Sequence, residues 1–231
     1  RHGPAEEFLM AHSAPAQQPR PAPRHDLVAR SKPLVFTLCL LPLVWLTWDV
    51  WQGTLGPDPV AQLEHRTGDW ALRLLLASLA ITPLRRLGGW HKLVRYRRML
   101  GLFAFFYACL HLTTYLVVDL GGFWTQIFAE IVKRPYITVG FAAWLLLIPL
   151  AATSTHAMMR RLGRHWQRLH RLVYLIALLA ALHFLWLVKS GQKIAVREPL
   201  VYLAIYAGLM LARVPWRRQA ARTARRPAAM Q

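Results

Sequence analysis

The sequence predicts an all-α fold: a polytopic membrane bundle of six transmembrane helices with both termini cytoplasmic. Three observations predict it. Of 231 residues, 55% are hydrophobic and only 17% charged, a greasier balance than soluble domains carry. The apolar residues gather into six segments bounded by charge or by Pro and Gly. The 29 Lys and Arg, set against 10 Asp and Glu, fall unevenly between alternate connections. A net charge of +19 would otherwise suggest nucleic-acid binding, but such domains are rarely this apolar.

Residues 1–32, with Pro4, Pro15, Pro19, Pro21 and Pro23, read as a disordered cytoplasmic tail. They hold no apolar run followed by a small-residue cleavage site, so they do not read as a signal peptide. The helical domain covers 33–215. Its first span runs from Pro33 to about Trp48 and its second from about Asp69 to Leu84. The third, Met99 to Val118, is 20 residues without a charged side chain. The fourth is Tyr136 to Thr153, the fifth Leu169 to Val188, the sixth Pro199 to about Val214. Residues 216–231 form a basic cytoplasmic tail.

A helix needs about 20 residues to cross the hydrocarbon. The third and fifth segments meet that outright. The first, second and sixth are shorter and need Trp48, Trp51, Trp70 and Trp216 as interfacial anchors. Between the third and fourth, Gly121–Arg134 places Phe123, Trp124, Ile127, Phe128 and Ile131 at roughly helical spacing. That stretch is expected to lie flat on the membrane surface.

The charges orient the bundle. The N-terminal tail, the 85–98 and 154–168 loops and the 213–231 tail hold 21 of the 29 basic residues, and the other three connections hold six. By the positive-inside rule the rich set is cytoplasmic. The charge excess is therefore a topology signal, and no nucleic-acid partner is expected. Cys39 and Cys109 lie in apolar runs and make neither a disulfide framework nor a CxxC site. No internal repeat is evident, and no catalytic triad, P-loop or GxGxxG motif.

His111 and His183 each sit well inside an apolar span. An ionisable residue at that depth is costly and marks a function by default. It can be a haem ligand, a proton relay, or a polar group bonded to a neighbouring helix. His111 lies 13 residues beyond Arg98, and His183 lies 15 beyond Arg168. On helices running in the same direction their heights differ by only ~3 Å, as two axial ligands of one iron require. His170 lies at the cytoplasmic rim, about 20 Å of rise and ~220° of rotation from His183 on a regular helix. Those two do not share a haem. Two rivals stand beside the haem reading: a transporter or proton channel using the histidines as a relay, and a non-catalytic membrane anchor.

Ordered strings along the chain carry a resemblance. They include Gly56-Pro-Asp-Pro-Val60, His65-Arg-Thr-Gly68, Ile81-Thr-Pro-Leu84, Arg97-Arg-Met-Leu-Gly-Leu102 and Leu110-His111-Leu112. They continue through Lys133-Arg-Pro-Tyr136, Thr153-Ser-Thr155, Arg161-Leu-Gly163, Leu169-His170 and Leu182-His183-Phe-Leu-Trp186. Over about residues 35–215 the sequence resembles the MsrQ (YedZ) family, within the wider ferric-reductase-like transmembrane group.

The resemblance implies a haem b subunit of the bacterial inner membrane with flavin mononucleotide (FMN) as second cofactor. It implies electron transfer from quinol to a periplasmic MsrP-type molybdopterin reductase that repairs methionine sulfoxide in oxidised proteins. His111, His170 and His183 match the family's haem-associated histidines. The wider group often holds two haems, but the third span here has only His111 and reads Tyr96-Arg97-Arg98 toward the cytoplasm, so one haem is expected. Its packing is expected among Phe103, Phe106, Tyr107, Leu179 and Phe184, with Thr114 and Tyr115 as possible bonding partners. Arg73 is the candidate partner of the propionates, the alternative being an i,i+4 pair with Asp69. The Arg-rich cytoplasmic loops are candidates for a flavin phosphate, and the loops around Asp58 and Trp124 for partner docking.

Overall fold

Every regular element is helical in the computed structural model, which describes residues 27–189 and 196–213. Helix α1 spans Leu27–Gln52 and α2 spans Pro59–Gly88. A 3-10 turn at His91–Leu93 leads into α3, Val94–Thr113, which a π-helical stretch continues over Thr114–Asp119. Then come α4 (Trp124–Lys133), α5 (Pro135–Ala152), α6 (His156–Leu162), α7 (Arg164–Leu169), α8 (Leu172–Lys189) and α9 (Arg197–Leu211).

Among the described residues, four helical stretches are long and apolar enough to cross a membrane: Arg30–Gln52, His91–Asp119, Pro135–Ala152 and Arg164–Lys189. They coincide with the first, third, fourth and fifth expected spans. The second and sixth are helices too, but they differ in kind. Asp69 and Arg73 interrupt the apolar run of α2, and α9 has only 15 residues. Helix α1 begins at Leu27, ahead of the Pro33 start read from the sequence. The rest of the expected N-terminal tail, and the basic tail 216–231, lie outside the described residues.

Local chemistry explains the boundaries. Asp58 caps α2 by accepting from the Ala61 amide at 3.1 Å, with Pro59 occupying the first turn. Gly89, at φ 67, ends that helix in the left-handed conformation a Cβ disfavours. Pro135 opens α5, and the Thr155 side chain caps α6 through the Met158 amide at 3.2 Å. Helix α4 forms where the apolar spacing predicted a helix, between the π-helical end of α3 and the start of α5.

The bundle is built around two long pairings, α2 along α3 and α5 along α8. Leu79 of α2, Tyr107 of α3, and Ile176, Ala177 and Ala181 of α8 are fully buried in the bundle. Helix α1 packs against α3 through an edge-to-face pair, Phe36 and Phe103, with ring centres 5.0 Å apart. Its other face leaves Trp45, Trp48 and Trp51 exposed, as a lipid-facing helix with interfacial aromatics does. At the end carrying Asp58, Asp49 of α1 pairs with Arg66 of α2. The two pairings thus bring the last turn of α3 opposite α8.

Candidate functional site

The imidazoles of His111 on α3 and His183 on α8 meet across the bundle axis. Their ring centres are 6.2 Å apart and their planes 72° from each other. The depth match read from the sequence therefore becomes direct apposition. His111 donates from Nδ1 to the Glu64 carbonyl at 2.9 Å, and His183 donates from Nδ1 to the Tyr136 carbonyl at 2.6 Å. A carbonyl can only accept, so both rings carry the proton on Nδ1 and keep the Nε2 lone pair for a ligand.

Each ring also rests on a glycine. A Cβ on Gly68 would lie 3.2 Å from His111 Nδ1, and one on Gly140 would lie 2.7 Å from His183 Nδ1. Each glycine sits four residues after the carbonyl that holds the same ring. Both carbonyls are 47 residues from their histidines. The α2–α3 and α5–α8 pairs therefore build one device twice, 72 residues apart. The elements between carbonyl and histidine differ, since α2 leads directly into α3 whereas α6 and α7 stand between α5 and α8.

The histidines line a cavity with a small or aliphatic part, Ala104, Ala108, Ala143, Ala180, Leu75 and Leu147. Its polar part, with Glu64, His65, Asp119, Arg134 and Tyr136, forms the mouth on the side of the carbonyls that hold the rings. Two atoms there, the Tyr115 hydroxyl and Glu64 Oε1, are buried without a hydrogen-bond partner. Burial lifts the Glu64 carboxyl to about 7, with Asp119 and Asp58 adding repulsion. Arg134 pairs with Glu130 at 2.6 Å and donates to the Tyr136 hydroxyl at 3.2 Å.

Several expected neighbours stand elsewhere. Of the five residues expected to pack the cofactor, only Phe184 lines the cavity. Phe103 and Tyr107 turn to α1 instead, where Tyr107 donates to the Cys39 carbonyl at 2.8 Å. Thr114 bonds back to its own helix at Leu110. Arg73 is held by Asp69 at 3.2 Å and by the Tyr202 hydroxyl at 2.7 Å, outside the cavity lining. His170 is also apart from the pair. Trp166 stacks on it at 3.9 Å, its Nδ1 donates to the Trp166 carbonyl at 3.1 Å, and Ser154 stands 3.5 Å from Nε2.

Among the described residues, no three His, Cys, Asp or Glu converge on a point that would hold a metal ion. The paired imidazoles supply two ligands and no more, so a metal between them must bring the rest. A porphyrin iron does so. At a metal–nitrogen distance of about 2 Å, imidazoles on opposite sides of one metal have ring centres roughly 6 Å apart. The spacing, the free Nε2 positions, the small-residue wall and the unpartnered polar atoms at the mouth all fit such a group.

Comparison with known proteins agrees. The family described as ferric reductase like transmembrane component matches residues 67–181. The protein-methionine-sulfoxide reductase heme-binding subunit MsrQ of Xanthomonas euvesicatoria pv. vesicatoria is 60% identical over 207 residues, 86% of this chain and 93% of that protein. The chain belongs to the MsrQ family. The MsrQ of Xanthomonas campestris pv. campestris is 61% identical over 201 residues, 84% of this chain and 90% of its own. That of Herminiimonas arsenicoxydans is 50% identical over 186 residues, 80% and 84% respectively. No solved structure matches the chain. Within this MsrQ relative, the sequence pointed to the two histidines that face each other but not to Gly140 or the two carbonyls. The signal available was a glycine 43 positions before each buried histidine.

Proposed function

We propose that the chain is a haem b electron-transfer subunit of the bacterial inner membrane. It passes electrons from the quinone pool to a periplasmic MsrP-type methionine-sulfoxide reductase, a molybdopterin enzyme that repairs oxidised proteins. The observation carrying this reading is the His111–His183 pair, 6.2 Å apart with each Nδ1 proton held by a carbonyl. His111 and His183 would hold one haem b through Nε2, and the group supplies a one-electron iron couple inside the bilayer.

The chain's own residues do the remaining work. The carbonyls of Glu64 and Tyr136 fix the tautomers and raise the basicity of the ligating nitrogens. The alanine and leucine wall excludes water, which lowers the local dielectric around the cofactor. Arg134 and the Tyr115 hydroxyl, at the mouth, are placed to donate to propionates. Arg73 is the second candidate for that task, and it would have to leave Asp69 and Tyr202. Oxidation of quinol to quinone releases two electrons and two protons. Reduction of a sulfoxide to a thioether on the partner consumes two of each and yields water.

Six spans with both termini cytoplasmic fit the charge distribution, 21 basic residues against six. The Asp69–Arg73 pair lessens the penalty of placing α2 in the bilayer. In this orientation the histidine pair lies in the outer half, near the partner. His170, with Trp166 and Ser154, lies at the cytoplasmic rim, where it would serve a lower cofactor. FMN is the second cofactor in this reading, its phosphate facing the loops Arg95–Arg98 and Arg160–Arg168. Reduced-minus-oxidised spectra of the purified chain test the core of the proposal. A b-type haem is expected, and a featureless difference spectrum overturns it.

A further inference from the structure

We infer that Gly68 and Gly140 are positioning residues, which seat the two imidazoles flat against the neighbouring helices so that both Nε2 atoms face one point. The inference rests on the haem reading and adds the elements that aim its ligands. A histidine in mid-span has two free torsions, and a single bond from Nδ1 leaves the ring able to swing about it. The glycine four residues after each carbonyl lies one helical turn along, on the same face. It supplies the second point of contact. At Gly140 a Cβ would lie 2.7 Å from Nδ1, 2.8 Å from Cε1 and 3.0 Å from Cγ of His183. At Gly68 it would lie 3.2 Å from Nδ1 and 3.3 Å from Cε1 of His111.

The two seats differ in tightness. The first set of distances is shorter than side-chain contacts allow, so Gly140→Ala must push the ring or part α5 from α8. The second set is close but negotiable. The backbone conformation of neither glycine demands glycine, since neither has a positive φ. Glycine also costs roughly 1 kcal/mol against alanine within a helix. The residue is therefore needed for the space beside the ring. Other helical glycines provide the contrast, because a Cβ on Gly101 of α3 or Gly208 of α9 would meet nothing within 4 Å.

The experiment uses the full chain purified in detergent. Haem affinity is measured by titrating haem into the stripped protein, ligation by the low-spin electron paramagnetic resonance signal, and ring displacement by carbon monoxide binding to the reduced form. Altered support of a metal-bound histidine typically lowers affinity 10–100-fold, and that loss is expected for Gly140→Ala together with carbon monoxide reactivity. Gly68→Ala should keep its haem but shift the low-spin g-values and the midpoint potential. Gly101→Ala and Gly208→Ala should match the wild type in every readout. If Gly140→Ala does not accumulate, Gly68→Ala decides the question through its g-values. Wild-type g-values, potential and inertness to carbon monoxide in both seat variants would overturn the inference. Absence of low-spin haem from the wild type would instead overturn the reading beneath it.

Discussion

His111 bonds the backbone carbonyl of Glu64 at 2.9 Å, while Oε1 of that same Glu64 is buried in the cavity mouth without a partner. One residue thus holds a ligand with its main chain and leaves its side chain under strain of desolvation. Asp58 and Asp119 face that carboxyl and add repulsion.

The carboxyl should register in stability. Burial raises Glu64 from 4.5 to about 7, so within that window the folded chain holds a proton that the unfolded chain has released. Stability then falls as pH rises from 4.5 through 7. Glu64→Gln should flatten this slope in thermal unfolding across the window and should stabilise the protein at pH 8. An unchanged slope would mean that the carboxyl is solvated.

Tyr107 should act on α1 rather than on the cofactor. Its hydroxyl donates to the Cys39 carbonyl at 2.8 Å and accepts from the Leu43 amide at 3.2 Å. Those two groups are one helical turn apart and flank Pro42, whose missing amide already interrupts the ladder. Tyr107→Phe removes both bonds of a fully buried hydroxyl, while the carbonyl and amide remain at i,i+4 spacing within α1, so the cost is about 0.5–1.5 kcal/mol. The thermal midpoint should drop while the haem spectrum stays as in the wild type. A spectral change would place Tyr107 at the cofactor.

Arg73 and Arg134 should separate under the same substitution. Arg73 is a partly exposed partner of Asp69 and Tyr202, so Arg73→Gln should remove about 0–1 kcal/mol of stability and leave haem retention unchanged. Arg134→Gln, at the cavity mouth, should weaken haem retention. The reverse pattern would restore Arg73 as the propionate partner.

What could be read in advance follows the range of the physics involved. Apolar run length is a local sum, and each long helix contains the run expected of it, with Trp124–Lys133 helical as its spacing indicated, while α2 extends ten residues ahead of its expected start. Depth counted along two parallel helices sufficed to bring His111 and His183 together. The direction in which a side chain points was not legible. Phe103 and Tyr107 sit at suitable heights but on the α1 face of α3. Nor was the paired seat, since a carbonyl acceptor carries no residue identity and Tyr136 bears no likeness to Glu64. Arg73 had two partners within reach, and its Tyr202 bond is 129 positions away in the chain.

The most direct measurement compares the low-spin haem signal of three variants purified in parallel. His111→Ala and His183→Ala should each lose the six-coordinate b-type spectrum, because each removes one side of a two-ligand site. His170→Ala should keep it, since Trp166 and Ser154 hold that ring apart from the pair. Loss of the spectrum in His170→Ala, with His183→Ala intact, would contradict the pairing of His111 with His183.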